Sequence, residues 1–185
     1  MRSNLPITRP DRPPAQSTTR PNQPLVPINH LPIDDHQKGV NMLTLDEALS
    51  LCTAARDAAN ELAVPPMSFA VMDAGGHLLA FARMDGAPWV SADVALGKAW
   101  TSAAYGVPSA ALKEKMAPMP NFATAITAMT HGRFTPQTGA VPIYRGEEML
   151  GALGASGGSG EQDEEMCARA ASATGFSISR QDAPS

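Results

Sequence analysis

Apolar residues are spaced unevenly along the chain, and their spacing divides it into segments of different kinds. From Thr44 onward, Leu45, Ala48, Leu49, Cys52, Ala55, Ala59 and Leu62 recur every three or four positions. That is the spacing of one helical face, with Arg56 and Asp57 left for solvent. Thr44 with Glu47 three residues on forms a capping box, so a helix is predicted from Thr44 to about residue 63. Pro65 and Pro66 end it. The apolar run Ser68-Phe69-Ala70-Val71-Met72 then reads as a strand that stops at the turn Asp73-Ala74-Gly75-Gly76. A return strand from His77 to Arg83 completes a hairpin, closed by Met84-Asp85-Gly86-Ala87-Pro88.

The next segment changes to small residues at helical spacing. Ala92, Ala95, Ala99 and Ala103 make a stripe over 92–105 that permits close packing, with Ser91 as the expected cap. Pro108 breaks this run; Ser109 is the expected cap of a short helix near 110–116, and Asn121 starts another near 122–130. A second hairpin follows: Val141-Pro142-Ile143-Tyr144, a turn at Arg145-Gly146-Glu147, and the glycine-rich strand Met149 to Ala155. Glycines in a strand mean that another backbone or a ligand lies close. Gly157-Gly158-Ser159-Gly160 leads into a last helix beginning Glu161-Gln162-Asp163-Glu164-Glu165. Two hairpins interleaved with helices predict an α+β, three-layer domain with a largely antiparallel sheet.

Composition changes the picture at the N-terminus. Residues 1–42 hold 8 of the 17 prolines, among Ser, Thr, Asn and Gln, and read as a disordered Pro-rich tail ahead of a domain over 43–176 and a C-terminal tail over 177–185. The tail is basic, which leaves the remainder with nine basic and fifteen acidic residues, a formal charge of −6. An acidic body with no block of Lys or Arg argues against a nucleic-acid partner. No stretch approaches the roughly 18 continuous apolar residues of a membrane span, and the two cysteines, Cys52 and Cys167, form no C-x-x-C pair. A cytoplasmic protein with no membrane partner is the expectation.

Among the polar residues, Lys98 is the unusual one, because it interrupts a small, apolar helical face. Buried, its ammonium requires a carboxylate such as Asp73, Asp85 or Asp163. Open to a cleft, Lys98 with Arg83 would hold a carboxylate-bearing ligand. His77 and His131 are the only histidines of the body and, with Tyr105, Tyr144 or a methionine, are candidate axial ligands for a haem iron. The glycine-rich Gly154 to Gly160 segment lacks the Gly-Lys-Ser/Thr ending of a phosphate loop, and the acids that follow it would repel an anion.

Four ordered stretches carry a resemblance. They are Asp73-Ala-Gly-Gly-His-Leu-Leu-Ala-Phe-Ala-Arg-Met-Asp-Gly-Ala87; Ser91, Ala95, Lys98 and Ala99; Gly139-Ala-Val-Pro-Ile143; and Gly151-Ala-Leu-Gly-Ala-Ser-Gly-Gly158 with Gln162-Asp163-Glu164. Together they resemble the GlcG/HbpS-like haem-binding family, which also supplies the C-terminal domain of PduO-type corrinoid adenosyltransferases. The resemblance implies a profilin-like α/β/α domain that assembles into homo-oligomers, some members binding haem or a related tetrapyrrole. It carries Asp73, Arg83, Asp85, Lys98, Gln162 and Asp163 to motif ends expected to meet around one cleft. Two functions are therefore expected: a small-molecule binding protein accessory to a catabolic pathway, with Arg83, Asp85, Lys98, Gln162 and Asp163 as ligand-binding residues; or an isomerase, lyase or hydrolase acting on an organic acid. In the second, Lys98 and Arg83 hold the substrate and Asp73 or Asp163 moves a proton.

Overall fold

The computed structural model describes residues 41–180, so the predicted N-terminal tail lies, apart from its last two residues, outside the described residues. Element order is α1 (Leu45–Glu61), β1 (Ser68–Asp73), β2 (Leu78–Arg83), α2 (Val90–Tyr105), α3 (Ser109–Met116), α4 (Pro120–Met129), β3 (Ala140–Arg145), β4 (Glu148–Ser156) and α5 (Gly160–Ala173). The two hairpins meet through their inner strands in one antiparallel sheet of order β2-β1-β4-β3. Helices α1 and α5 cover one face and α2 covers the other, giving the three layers expected. Beyond the last strand pair, Ser177 bridges to Tyr144 on the outer edge of β3.

Local sequence accounts for the helix starts at both ends of the domain. The Thr44 hydroxyl accepts the Glu47 N–H at 3.3 Å and the Glu47 carboxylate accepts the Thr44 N–H at 2.9 Å. Ser159 and Gln162 repeat this box at the start of α5, where Gln162 Oε1 accepts the Ser159 N–H at 2.9 Å. Each box satisfies two N–H groups that the helix leaves without partners.

Two predicted caps are corrected. Ser91 does not cap α2: its hydroxyl donates to the Pro88 carbonyl at 2.6 Å and shares a 2.7 Å hydrogen bond with Ser68 of β1. Ser109 does not cap α3 either, because its hydroxyl accepts the Ala140 N–H at 2.9 Å, the first N–H of β3. In both cases a buried tertiary partner takes the oxygen that a cap would have used. The buried stripe of α1 also differs from the predicted one. Leu51 and Ala58 are inside, with Ala48, Cys52, Ala55 and Ala59, while Leu45, Leu49 and Leu62 are exposed. A helix lying against α5 through small residues buries the face that permits closest approach, even where larger apolar side chains lie on an adjoining one.

The main core lies between the sheet and α1 with α5, around Phe69, Val71, Ile143, Leu153 and Met166. The opposite layer is thin and nearly all alanine: Ala95, Ala99 and Ala103 of α2 on Ala70, Met72 and Ala152. Cys52 and Cys167 are buried thiols, and burial pushes Cys52 up to about 11, so both are packing residues rather than nucleophiles. No helix of the described residues is long and apolar enough to cross a membrane.

Candidate functional site

Helix α2 brings two different polar settings into the domain. On its inner side, Lys98 Nζ lies 2.7 Å from Asp163 Oδ2 on the first turn of α5 and donates to the Ala155 carbonyl at 3.2 Å. Their side chains are 6% and 2% exposed, so this is a desolvated pair, and of the three acids weighed from sequence the fold selects Asp163. The other Asp163 oxygen accepts the Gly158 N–H at 3.0 Å. Burial pushes the Asp163 carboxyl up, while the Lys98 ammonium and the N–H groups of Gly158 and Gly157 pull it down. Gly139 closes the pair from above. At its φ of 130° a Cβ would stand 2.6 Å from Lys98 Nζ and 2.7 Å from Asp163 Cβ, so only glycine fits.

Glu164, next to Asp163, has one carboxylate oxygen, Oε2, buried with no hydrogen-bond partner among the described residues. Burial pushes this carboxyl up, against the pull of the Gly139 and Ala110 N–H groups. A carboxyl raised in the fold holds its proton more tightly folded than unfolded. Its contribution to stability is therefore complete below the ordinary glutamate value and is lost as pH rises through the raised one. Glu164→Gln is accordingly expected to melt at a higher temperature than the parent at neutral pH, with the difference vanishing in acid. Melting curves of both proteins across pH 4 to 8 check this, and an advantage that grows in acid would refute it.

The remaining predicted site residues are not gathered around Lys98. Asp73 lies at the far end of β1, where Oδ1 accepts the N–H groups of Gly75 and His77 at 2.8 Å each and shapes the β1–β2 turn. The exposed His77 ring places Nδ1 3.3 Å from Asp73 Oδ2. The side chains of Arg83 and Asp85 are exposed at the other end of the edge strand β2, without a hydrogen bond or ion pair among the described residues. Gln162 has its amide oxygen in the α5 capping box. Tyr144 is buried and donates to the Gly106 carbonyl at 2.9 Å, while Tyr105 packs tilted on Phe134 at 5.7 Å between centroids.

The second setting is a cleft of 440 Å³ between the outer side of α2, the β1–β2 turn and the loop after α4. Met72, Leu78, Leu96 and Trp100 give it an apolar wall, and Asp93, His131 and Arg133 are its polar residues. Arg133 lies over the Trp100 ring, Cζ 5.1 Å from the centroid, with its Nε donating to the Thr130 carbonyl at 3.2 Å. His131 follows the end of α4 with φ of 54°, a left-handed conformation that costs a non-glycine residue roughly 1 kcal/mol. Hydrogen bonds from His131 N to Ala128 O and from Gly132 N to Thr127 O hold this reversal, which turns the loop back toward α2.

Of the candidates read from sequence, only His131 lines the cleft. Trp100, Arg133, Leu96 and Asp93 were missed. One signal was present: Asp93, Leu96, Gly97 and Trp100 lie at i, i+3, i+4 and i+7, a single helical face adjoining the alanine stripe. Chemically, the cleft can hold a flat apolar body on its wall and offers a guanidinium and an imidazole to its polar end.

Comparison with known proteins places the chain in a family. A family model described as "Haem degrading protein HbpS-like" matches residues 43–172. The chain is 31% identical over 121 residues to the "uncharacterized 15.0 kDa protein in dhaT-dhaS intergenic region" of Citrobacter freundii, covering 65% of this chain and 84% of that protein. It is 32% identical over 131 residues to the corrinoid adenosyltransferase PduO of the same organism, covering 71% of this chain but only 38% of that enzyme. Among solved structures, a PduOC:heme complex superposes with a TM-score of 0.67 at 27% identity, over 75% of this chain and 99% of that one. The matched span takes in both hairpins, the Lys98–Asp163 pair under Gly139 and every residue of the Trp100 cleft, and the chain belongs to the HbpS-like family.

Proposed function

We propose that this protein binds a small molecule, haem or a related tetrapyrrole, in the Trp100 cleft, as a homo-oligomer accessory to a catabolic pathway. The observation that carries the reading is the placing of His131 and Arg133 beside a wall of Met72, Leu78, Leu96 and Trp100. These residues fit the group. The wall suits a flat macrocycle, the guanidinium suits its carboxylates, and a neutral imidazole suits its iron. The cleft's 440 Å³ also falls within the roughly 300 to 1,000 Å³ of small-molecule sites. His77 is the alternative ligand, since its neighbours Gly76 and Leu78 line the same cleft. The haem complex of a structure 27% identical to this chain supports the choice of ligand class.

Haem, when bound, supplies one-electron and oxygen chemistry at its iron. The chain's own residues bind the ring, shield one side of it from water and hold an imidazole at the lip. Lys98 and Asp163, enclosed under Gly139, act in this reading as a buried strut that ties α2 to α5. Assembly is supported by α4, which buries none of its residues although Phe122 is half exposed and Met129 almost wholly exposed.

Native mass spectrometry of the protein mixed with haem tests the reading, because it reports subunit number and bound mass together. The expected result is an oligomer carrying haem, with a visible spectrum unlike that of free haem. His131→Ala, at an exposed position where folding survives, should bind at least about tenfold more weakly, the scale of a lost charge-assisted or coordinate contact. Apo masses alone, together with a free-haem spectrum, would sink the proposal.

A further inference from the structure

The Arg133 side chain is placed differently from the paired cations of the domain. Arg56, Arg145 and Arg169 each sit on a carboxylate, Asp57, Glu47 and Glu165 respectively, and Lys98 sits on Asp163. Arg133 has none among the described residues, although the body is acidic and Asp93 lines the same cleft. Its guanidinium is held instead by two contacts that leave its charge unneutralised: the Trp100 face and the Thr130 carbonyl. No acceptor among the described residues takes its terminal nitrogens. The loop that carries it adopts successive left-handed residues, His131 at φ 54° and Gly132 at 81°, and so delivers the side chain back onto α2. Gly97 permits this approach, because a Cβ there would collide with Thr135 of the same segment.

A guanidinium fixed in place, still carrying its full charge and the four N–H donors of its two terminal nitrogens, is organised for a planar anion before any ligand arrives. We propose that the cleft takes its ligand carboxylate-first, with Arg133 as the residue that selects an anionic over a neutral ligand of the same shape, while Leu78, Leu96 and Met72 take the flat body. This assignment rests on the tetrapyrrole reading and adds to it the chemical end by which the ligand is recognised. It is independent of iron, so the metal-free ring can test it apart from His131.

The probes are protoporphyrin IX, which bears two carboxylates, and its dimethyl ester, which is the same ring without the charges. Both are titrated by fluorescence against the parent protein, Arg133→Met and Arg133→Lys. Arg133 is exposed, so the variants are expected to keep the parental melting curve, which is measured alongside. The parent should prefer the acid over the ester by about 10-fold to 100-fold, the scale of a hydrogen-bonded charge contact. Arg133→Met should bind acid and ester alike, with ester affinity within about twofold of the parent, and Arg133→Lys should restore part of the preference, having the charge without the planar fork. Equal binding of acid and ester by the parent, or an undiminished preference in Arg133→Met, overturns the role of Arg133 while leaving the tetrapyrrole reading in place. Failure of the parent to bind either ring overturns that reading and this assignment together.

Discussion

Lys98→Met is expected to destabilise the protein by about 3–5 kcal/mol at neutral pH, the cost of leaving one member of a buried ion pair without its partner. Methionine keeps the stem's length and helix propensity, so the loss isolates the charge. The abandoned group is Asp163, 2% exposed and left with only backbone donors such as the Gly158 N–H. Burial already pushes its carboxyl up with Lys98 present, and without the ammonium it is pushed further. A carboxyl raised in the folded state gives stability that is complete below the ordinary aspartate value and disappears as pH rises through the raised one. The deficit of Lys98→Met should therefore be largest at neutral pH and shrink in acid. Adding Asp163→Asn removes the charge yet keeps an acceptor for Gly158, so the double variant should recover most of the loss, as neutral replacements of buried pairs commonly do. Urea melts of the four proteins at pH 7 and pH 5 measure the cycle. An unchanged Lys98→Met midpoint would place the ammonium in water and remove the strut.

Gly154→Ala is the second large effect. Gly154 is near the C-terminal end of β4 on the face that meets α2, and a Cβ there would stand 2.7 Å from both Ala95 O and Ala99 N and 2.9 Å from Ala99 Cβ. The α2 backbone cannot swing away as a side chain would, so the helix must lift from the sheet. Overpacking of this kind costs about 1–3 kcal/mol and more where backbone has to move. For a domain of this size that corresponds to a fall in melting temperature of about 2–12 °C. Ala99→Gly in the same chain should restore only the part owed to the Ala99 methyl. A calorimetric scan of Gly154→Ala that matches the parent would show that α2 does not ride as close to β4 as described.

Both effects trace to features that were only half legible in the chain. Lys98 stood out because a cation on an alanine face demands an explanation, and the glycines of β4 announced that something lies against them. Which carboxylate meets Lys98, and whether backbone or ligand meets Gly154, depends on segments some sixty residues away. In the same way, Ser91 and Ser109 have the right chemistry to cap α2 and α3. Their oxygens go instead to Pro88 with Ser68, and to Ala140.

By itself the sequence determined whatever is closed within a few residues: the Thr44–Glu47 box, the Asp73 turn, both hairpins, the helix breaks at Pro65 and Pro108, and hence the α+β class. Such features are hydrogen-bonded within one turn or one loop, so their causes lie side by side in the chain. The tertiary structure alone decided the joining of β1 to β4, the rotation of α1 that buries Leu51 rather than Leu49, the Lys98–Asp163 strut and the cleft of Trp100, His131 and Arg133. Each of these is a choice among several partners of equal local merit. It is settled by how closely small residues let backbones approach and by which polar atoms packing strips of water, quantities that exist only once distant segments have met.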